Sequence, residues 1–190
     1  MNETTSAEQE HIRAFISYSW SSLAHEAWVM RLASRLVEDG VDVILDKWNL
    51  KPGHDAHAFM EQMVTDQSVS KVMMICDKVY AEKANGRAGG VGAEAQILTP
   101  DLYAKAQQDK YATVVTEVDE AGKAFVPTFY GGRIYFDFSQ VESEEASYEE
   151  LLRWLLNKPR HVKPKLDTSK NRIIFALAGN ESGVPRSVAA

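Results

Sequence analysis

One glutamate stands in a setting that suits sugar chemistry. Glu94 follows a stretch that contains Gly86, Gly89, Gly90 and Gly92, and it precedes the apolar positions of a short predicted helix. A single carboxylate cannot supply the acid and base pair of an ordinary glycosidase. It can stabilise a developing oxocarbenium ion and hold ribose hydroxyls when the leaving group is already cationic, as nicotinamide is. The competing interpretation is a solvated glutamate that is favourable at a helix N-terminus.

The same glycine-rich stretch contains a relaxed dinucleotide-binding pattern, Gly90-x-Gly92-x-x-Ala95. A Rossmann turn has to follow its strand at once, and here more than ten residues intervene after the predicted strand. No Walker sequence is present. The sequence therefore disfavours both a redox Rossmann enzyme and a nucleoside triphosphatase.

Other side chains with reactive potential lack the neighbours that chemistry needs. His54 and His57 have no third ligand at a suitable spacing, so the sequence predicts no metal site. Cys76 lies in an apolar run, which indicates an inert core thiol. Ser17 and Ser19 lack the G-x-S-x-G turn of a serine hydrolase.

The composition indicates which partners and which cellular compartment to expect. The chain has 190 residues, 45% of them hydrophobic, and a formal net charge of −6. An acidic chain of this kind is not expected to bind nucleic acid directly. A single cysteine suits the reducing cytoplasm, and no apolar stretch reaches the roughly 18 residues that span a membrane. We therefore expect a cytoplasmic protein with no membrane contact.

The positions of these residues depend on the elements around them. Residues 12–20 predict a buried central strand that ends in small polar residues. Ser21 and Ser22 are candidate N-caps of an amphipathic helix that Gly40 ends, and residues 41–46 predict a second strand. A strand, a helix and a strand in this order imply parallel pairing through a right-handed crossover.

The rest of the chain continues the alternation. A loop at 47–55 precedes a helix capped by Asp55, and further strands are predicted at 70–76, 111–118 and 133–138. Ser147 and Glu150 form a capping-box pattern before a last helix. Strands that alternate with helices predict the doubly wound α/β class, with helices on both faces of a sheet of about five parallel strands. In a flavodoxin-like strand order, ligands of such a fold bind at the carboxyl ends of strands one and three.

The chain is expected to divide into three parts. Residues 1–10 are polar and are predicted to be a disordered N-terminal segment, and residues 11–159 hold the α/β domain. Residues 160–190 are basic and predict a linker or tail, truncated from a longer protein in one interpretation.

Three stretches of the sequence resemble the conserved boxes of TIR domains, and more closely those of the bacterial SEFIR branch. They are residues 15–20, 45–53 and 135–138. The resemblance implies a flavodoxin-like TIR/SEFIR fold, with three layers around a central parallel five-stranded sheet, and a family of self-associating signalling modules. Many bacterial and plant members of that family hydrolyse NAD⁺ as immune effectors.

The resemblance also implies roles for single residues. Glu94 occupies the place of the catalytic glutamate, and the residues bordering the nucleotide are Tyr18, Ser19, Trp20, Asp46 and Trp48. Protomer contacts are implied in the 47–55 loop, at Leu50, Lys51, Pro52 and Gly53. NAD-cleaving relatives often carry a tryptophan four residues before the glutamate, where this chain has Gly90, and Trp20 or Trp48 is our hypothesis for its replacement.

Two hypotheses therefore stand at the level of sequence. The first is an NAD⁺ nucleosidase that is activated by oligomerisation, uses NAD⁺ as substrate without a cofactor, and acts as an antiphage effector under a sensor domain or partner protein. The second is a non-catalytic scaffold that binds like domains in signalling.

Overall fold

The computed structural model describes residues 12–86, 98, 100–104 and 108–166. Contacts between residues divide the chain into two units, Met1–Arg160 and His161–Ala190. In the second unit, residues 161–166 are exposed and contain neither helix nor strand. The remaining description concerns the first unit.

A five-stranded parallel sheet forms the centre of this unit, in the order β2-β1-β3-β4-β5. The strands are β1 (Arg13–Tyr18), β2 (Asp42–Ile44), β3 (Lys71–Cys76), β4 (Tyr111–Val115) and β5 (Phe136–Asp137). The strand order reverses between β1 and β3, which pair from Ala14 with Lys71 to Tyr18 with Ile75. The predicted flavodoxin-like class is confirmed, and β1 is a central strand as expected.

Helices cover both faces of the sheet. They are α1 (Leu23–Glu38), α2 (Asp46–Asn49), α3 (Ala56–Thr65), α4 (Lys78–Gly86), α5 (Pro100–Ala104) and α6 (Glu144–Leu155), with short 3₁₀ helices at Gln108–Lys110, Thr128–Tyr130 and Val141–Ser143. One buried cluster joins α1 and α6 to the face of β1 that holds Ala14, Ile16 and Tyr18. The other joins α3, α4 and α5 to the opposite face, which holds Phe15.

Local sequence explains the first helix well. Ser22 caps α1 by accepting a hydrogen bond from the backbone N–H of His25 at 3.1 Å. Val29, Leu32, Ala33 and Leu36 then recur at helical spacing and are buried. Gly40, with a φ of 88°, follows the helix in the left-handed region that glycine favours, as predicted for a stop.

Several predicted boundaries were wrong. Asp46, placed at the end of the second strand, begins the short helix α2, so the 47–55 segment is not a loop throughout. The capping-box prediction at Ser147 fails because α6 begins at Glu144, and the Ser147 hydroxyl instead donates to the backbone oxygen of Asp137. The fifth strand is limited to Phe136–Asp137.

Candidate functional site

The carboxyl end of β1 contacts two carboxylates, one from the segment after each neighbouring strand. Tyr18, Ser19 and Trp20 are the last residue of the strand and the two that follow it. Asp46 follows β2 by two positions, and Asp77 directly follows β3. Because parallel strands end at the same edge of a sheet, the two carboxylates follow the strands on either side of β1, and each contacts the end of β1.

Both carboxylate oxygens of Asp46 accept hydrogen bonds. The Tyr18 hydroxyl donates to Oδ1 at 2.9 Å, and the Trp20 indole N–H donates to Oδ2 at 3.0 Å. The backbone N–H of Lys47 also donates to Oδ1, at 2.7 Å. Burial and the negative charge of Asp46 raise the pKa of Tyr18, so its hydroxyl stays protonated and donating. The structure thus brings together three of the predicted substrate-binding residues.

Ser19 turns to the second carboxylate. Its hydroxyl lies 2.8 and 2.9 Å from the two oxygens of Asp77. Asp77 also caps α4, because its Oδ1 accepts the backbone N–H of Tyr80 at 2.7 Å. Sequence analysis missed Asp77, although an aspartate directly after a buried strand and before a helix is a recognisable N-cap.

Among the residues that the structure describes, neither carboxylate has a cationic partner. Asp46 is 2% exposed and Asp77 is 5% exposed. Lys47, beside Asp46, pairs instead with Glu26. Within the ranges that the structure describes, only neutral hydroxyl, indole and amide donors bind the two aspartates. Buried charges without a counter-ion leave a negative potential at this edge, which favours a cation or a ligand rich in hydroxyl groups.

Trp48 and the segment after it lie on the surface. Trp48 is 41% exposed on α2, and Trp20 is 42% exposed. Lys51, Pro52 and Gly53 are exposed, whereas Leu50 is half-buried. Gly53 has a φ of 91°, and the backbone N–H of His54 donates to the Lys51 oxygen at 3.0 Å, so this is an ordered turn.

Glu94 lies outside the described residues, as does Gly90. The first described residue after it is Leu98, which is fully buried. The backbone N–H of Leu98 donates to the Tyr80 hydroxyl at 3.2 Å, and that hydroxyl lies 2.8 Å from the Ser17 hydroxyl. Leu98 is therefore fixed to β1 and α4.

Cys76 and the possible metal ligands were the remaining candidates from the sequence, and the structure describes the surroundings of part of them. Cys76 is fully buried, and burial, with the neighbouring charge of Asp77, raises its thiol pKa. In the described part of the chain, no group of three or more His, Cys, Asp or Glu side chains could hold a metal ion. No helix among the described residues is long and apolar enough to span a membrane.

Comparisons with known proteins place this geometry in a family. The profile of the SEFIR domain matches residues 12–151. The crystal structure of a prokaryotic SEFIR domain is 40% identical, with a TM-score of 0.70 over 82% of this chain and 99% of that one. No curated protein matches the chain.

A more distant structure shares the fold alone. It is the TIR domain of the Toll-related receptor TRR-2 from Hydra magnipapillata, which is 12% identical. The TM-score is 0.54, and the match covers 76% of this chain and 98% of the receptor domain.

Proposed function

This chain belongs to the SEFIR domain family, and we propose that it hydrolyses NAD⁺ to nicotinamide and ADP-ribose when copies of the domain assemble. The observation that supports the proposal most directly is the pair of buried carboxylates, Asp46 and Asp77, at the end of β1. A site of this charge suits NAD⁺ because the nicotinamide ring and the reacting ribose are its positive and hydroxyl-bearing parts.

The proposed reaction needs charge stabilisation more than proton transfer. The bond between ribose C1′ and the nicotinamide nitrogen breaks, and the electron pair leaves with nicotinamide, which becomes neutral. The positive charge passes to the ribose ring as an oxocarbenium ion. Water adds at C1′ and releases a proton to solvent. Fixed negative groups near C1′ stabilise this transition state because they need no reorganisation when the charge develops.

Glu94 is proposed to be the carboxylate nearest the reacting carbon. Leu98 is held by Tyr80, which is itself bonded to Ser17 in β1. A chain spans at most ~3.6 Å per residue, so four residues keep the Glu94 Cα within ~14 Å of the Leu98 Cα. That reach is compatible with the proposed position of Glu94 beside the end of β1. Tyr18, Ser19, Trp20, Asp46 and Trp48 are proposed to border the nucleotide.

Nicotinamide release by clustered protein tests this proposal. The protein is tethered densely on beads, and nicotinamide is measured against the same amount of protein in dilute solution. We expect release from the clustered protein and a loss of ~10²-fold or more in Glu94→Ala, as for removal of one electrostatic stabiliser. Glu82→Ala, an exposed glutamate of α4, is the matched control and should keep full activity. Activity that survives Glu94→Ala would remove Glu94 from the mechanism.

A docking module without chemistry is the second candidate, and the exposed turn after α2 favours it. Trp48 offers apolar surface, and Lys51, Pro52 and Gly53 are exposed in an ordered turn. We propose that residues 47–55 contact a second copy in either case. If no assembled state releases nicotinamide, docking to like domains is the one of the two proposed functions that remains.

Sedimentation of the Trp48→Ala and Pro52→Ala variants tests the contact. Self-association should weaken in both variants while the thermal unfolding midpoint stays near that of the parent chain. Val37→Ala removes a comparably exposed apolar side chain from the far end of α1 and should leave assembly unchanged. Unaltered assembly of the two loop variants would contradict the proposed contact.

The proposal also includes a biological role and a location. A bacterial immune effector of this kind is proposed to be activated by a sensor domain or partner protein that raises its local concentration. A cytoplasmic location is also proposed, because the lone buried thiol suits a reducing compartment.

A further inference from the structure

The proposed substrate carries a charge that the two buried carboxylates repel. NAD⁺ has a diphosphate with one negative charge on each phosphate, joined to the reacting ribose through its C5′ carbon. Asp46 and Asp77 are buried at the end of β1 and have only neutral donors among the described residues. Like charges repel more strongly where water is excluded. A site that brings the ribose to these carboxylates therefore needs a cation for the diphosphate beside it.

Lys47 is a cation that the fold fixes next to this site. It directly follows Asp46, and its backbone N–H donates to Oδ1 of that carboxylate at 2.7 Å. The indole N–H of Trp20, which is proposed to border the nucleotide, donates to the other oxygen of Asp46. The Lys47 amine pairs with Glu26, in the first turn of α1. This contact holds the amine between the starts of α1 and α2, at the carboxyl edge of the sheet.

The pair of Lys47 and Glu26 leaves the lysine able to bind an anion. The two side chains are 40% and 18% exposed, respectively. An ammonium group has three N–H donors, and Glu26 is the one carboxylate that this amine contacts among the described residues. The remaining donors can bind phosphate oxygens, which lysine attracts as a point charge. Glu26 lies beside the same amine, so its negative charge weakens the attraction between Lys47 and an added anion.

Lys78 provides a comparison within the same edge of the sheet. It directly follows Asp77 and begins α4, much as Lys47 follows Asp46 in α2. The Lys78 side chain is exposed, and no ion pair fixes its amine in the part of the chain that the structure describes. A lysine side chain that is not fixed beforehand loses more conformational entropy when it binds a ligand. The structure therefore favours Lys47 over Lys78 as the cation for a phosphate group.

We propose that Lys47 binds the diphosphate of the nucleotide and that Glu26 sets the strength of this contact. The inference rests on the proposed NAD⁺ site, but it concerns binding and requires no cleavage. It limits the ligands of this contact to nucleotides with a diphosphate, because adenosine offers no charge to Lys47. Loss of the Lys47 charge and loss of the Glu26 charge should then change binding in opposite directions. A lysine that only ties α2 to α1 would give the same direction in both cases, since either substitution breaks the pair.

Equilibrium binding to the bead-tethered whole chain tests the proposal, with ADP-ribose and adenosine as the two probes. We expect Lys47→Gln to weaken ADP-ribose binding by ~10-fold and Glu26→Gln to strengthen it by ~3-fold. Adenosine binding should change by less than ~2-fold in both variants. Lys78→Gln removes the same charge after the other carboxylate, and this matched control should bind ADP-ribose within ~2-fold of the parent chain.

Three binding results would overturn the proposal. Weaker ADP-ribose binding in both Lys47→Gln and Glu26→Gln would show that the pair is only structural. Equal weakening in Lys47→Gln and Lys78→Gln would show a general charge effect. A lack of saturable ADP-ribose binding by the parent chain would remove the contact altogether.

Sedimentation separates this contact from assembly, because Lys47 lies in the 47–55 segment that is proposed to meet a second copy. Self-association of Lys47→Gln should match that of the parent chain, and weaker self-association would assign the loss of binding to assembly and overturn the proposal. The proposed cleavage is judged separately. Opposite effects on ADP-ribose binding without any nicotinamide release would support the contact and reject the cleavage, whereas release without those effects would reject the contact alone.

Discussion

The two ends of strand β1 handle charge in opposite ways. At the amino end, Arg13 pairs with Asp42 of β2 at 2.9 Å, and their side chains are 40% and 51% exposed. At the carboxyl end, Asp46 and Asp77 are almost fully buried and have only neutral donors among the described residues. Exposed pairs of opposite charge contribute little free energy and need no further partner. The two buried carboxylates have no cation among the described residues, and the proposed function uses their uncompensated negative charge.

The same difference appears in how helix ends are satisfied. Near the amino edge, Lys110 donates to the backbone oxygens of Val64 and Asp66 at 2.8 and 2.9 Å, at the end of α3. This contact completes a helix C-terminus with a cation, which is a structural role. At the carboxyl edge Asp77 completes the start of α4 and at the same time accepts the hydrogen bond of Ser19 at the end of β1. One residue there serves both the fold and the candidate site.

Substitution of Asp77 by alanine should show the largest difference in stability between the two ends of β1. The change leaves the Ser19 hydroxyl and the Tyr80 N–H without their acceptor in a buried place. We expect the free energy of unfolding to fall by about 2–4 kcal/mol in urea denaturation. Asp42→Ala, at the exposed pair, should cost less than about 1 kcal/mol. Equal losses in the two variants would contradict the distinction between the edges.

Replacement of Tyr18 by phenylalanine should have an intermediate effect. It removes one donor from the buried Asp46 and leaves the ring in the core. We expect a loss of about 1–2 kcal/mol in the free energy of unfolding. Tyr135→Phe, at a partly exposed tyrosine before β5, is the control and should change little. A Tyr18→Phe variant as stable as the parent would mean that the bond to Asp46 contributes no net stability.

A pH titration of stability should show the smallest effect. Burial lowers the pKa of His25 from its ordinary value of 6.5. Between that value and the lower folded-state pKa, the unfolded chain binds a proton that the folded chain does not, so stability falls as the pH falls. Above pH 6.5 His25 is neutral in both the folded and the unfolded chain, so it causes no loss of stability there. His25→Gln should flatten the decline below this pH in denaturant titrations, and an unchanged decline would place its origin elsewhere.

Much of the fold could be predicted because local patterns and tertiary packing agree. The caps at Ser22 and Asp55 form as expected, with Asp55 accepting the backbone N–H of Ala58 at 3.0 Å. The apolar face of α1 and the stop at Gly40 follow the same rule. These features depend on neighbours within a few residues, which a sequence displays directly.

The errors occur where distant groups decide the local structure. Asp46 begins α2, and its side chain is bonded to Tyr18 and Trp20, more than one element away in the chain. Ser147 looked like a cap, but its hydroxyl is bound to the Asp137 oxygen of β5. The role of Asp77 depends likewise on Ser19 of another strand end. Sequence spacing identified candidate residues at the carboxyl edge but not how they pair.

The most direct test of the account is nicotinamide release by clustered Asp77→Asn compared with clustered Asp42→Asn. Asparagine at 77 can still accept the Tyr80 N–H and bond with Ser19, so the change removes the charge and keeps the cap. We expect release to fall by ~10-fold or more in Asp77→Asn and to stay near the parent rate in Asp42→Asn, with both variants folded. Equal release by the two variants would contradict the claim that the uncompensated carboxylates at the end of β1 form the functional site.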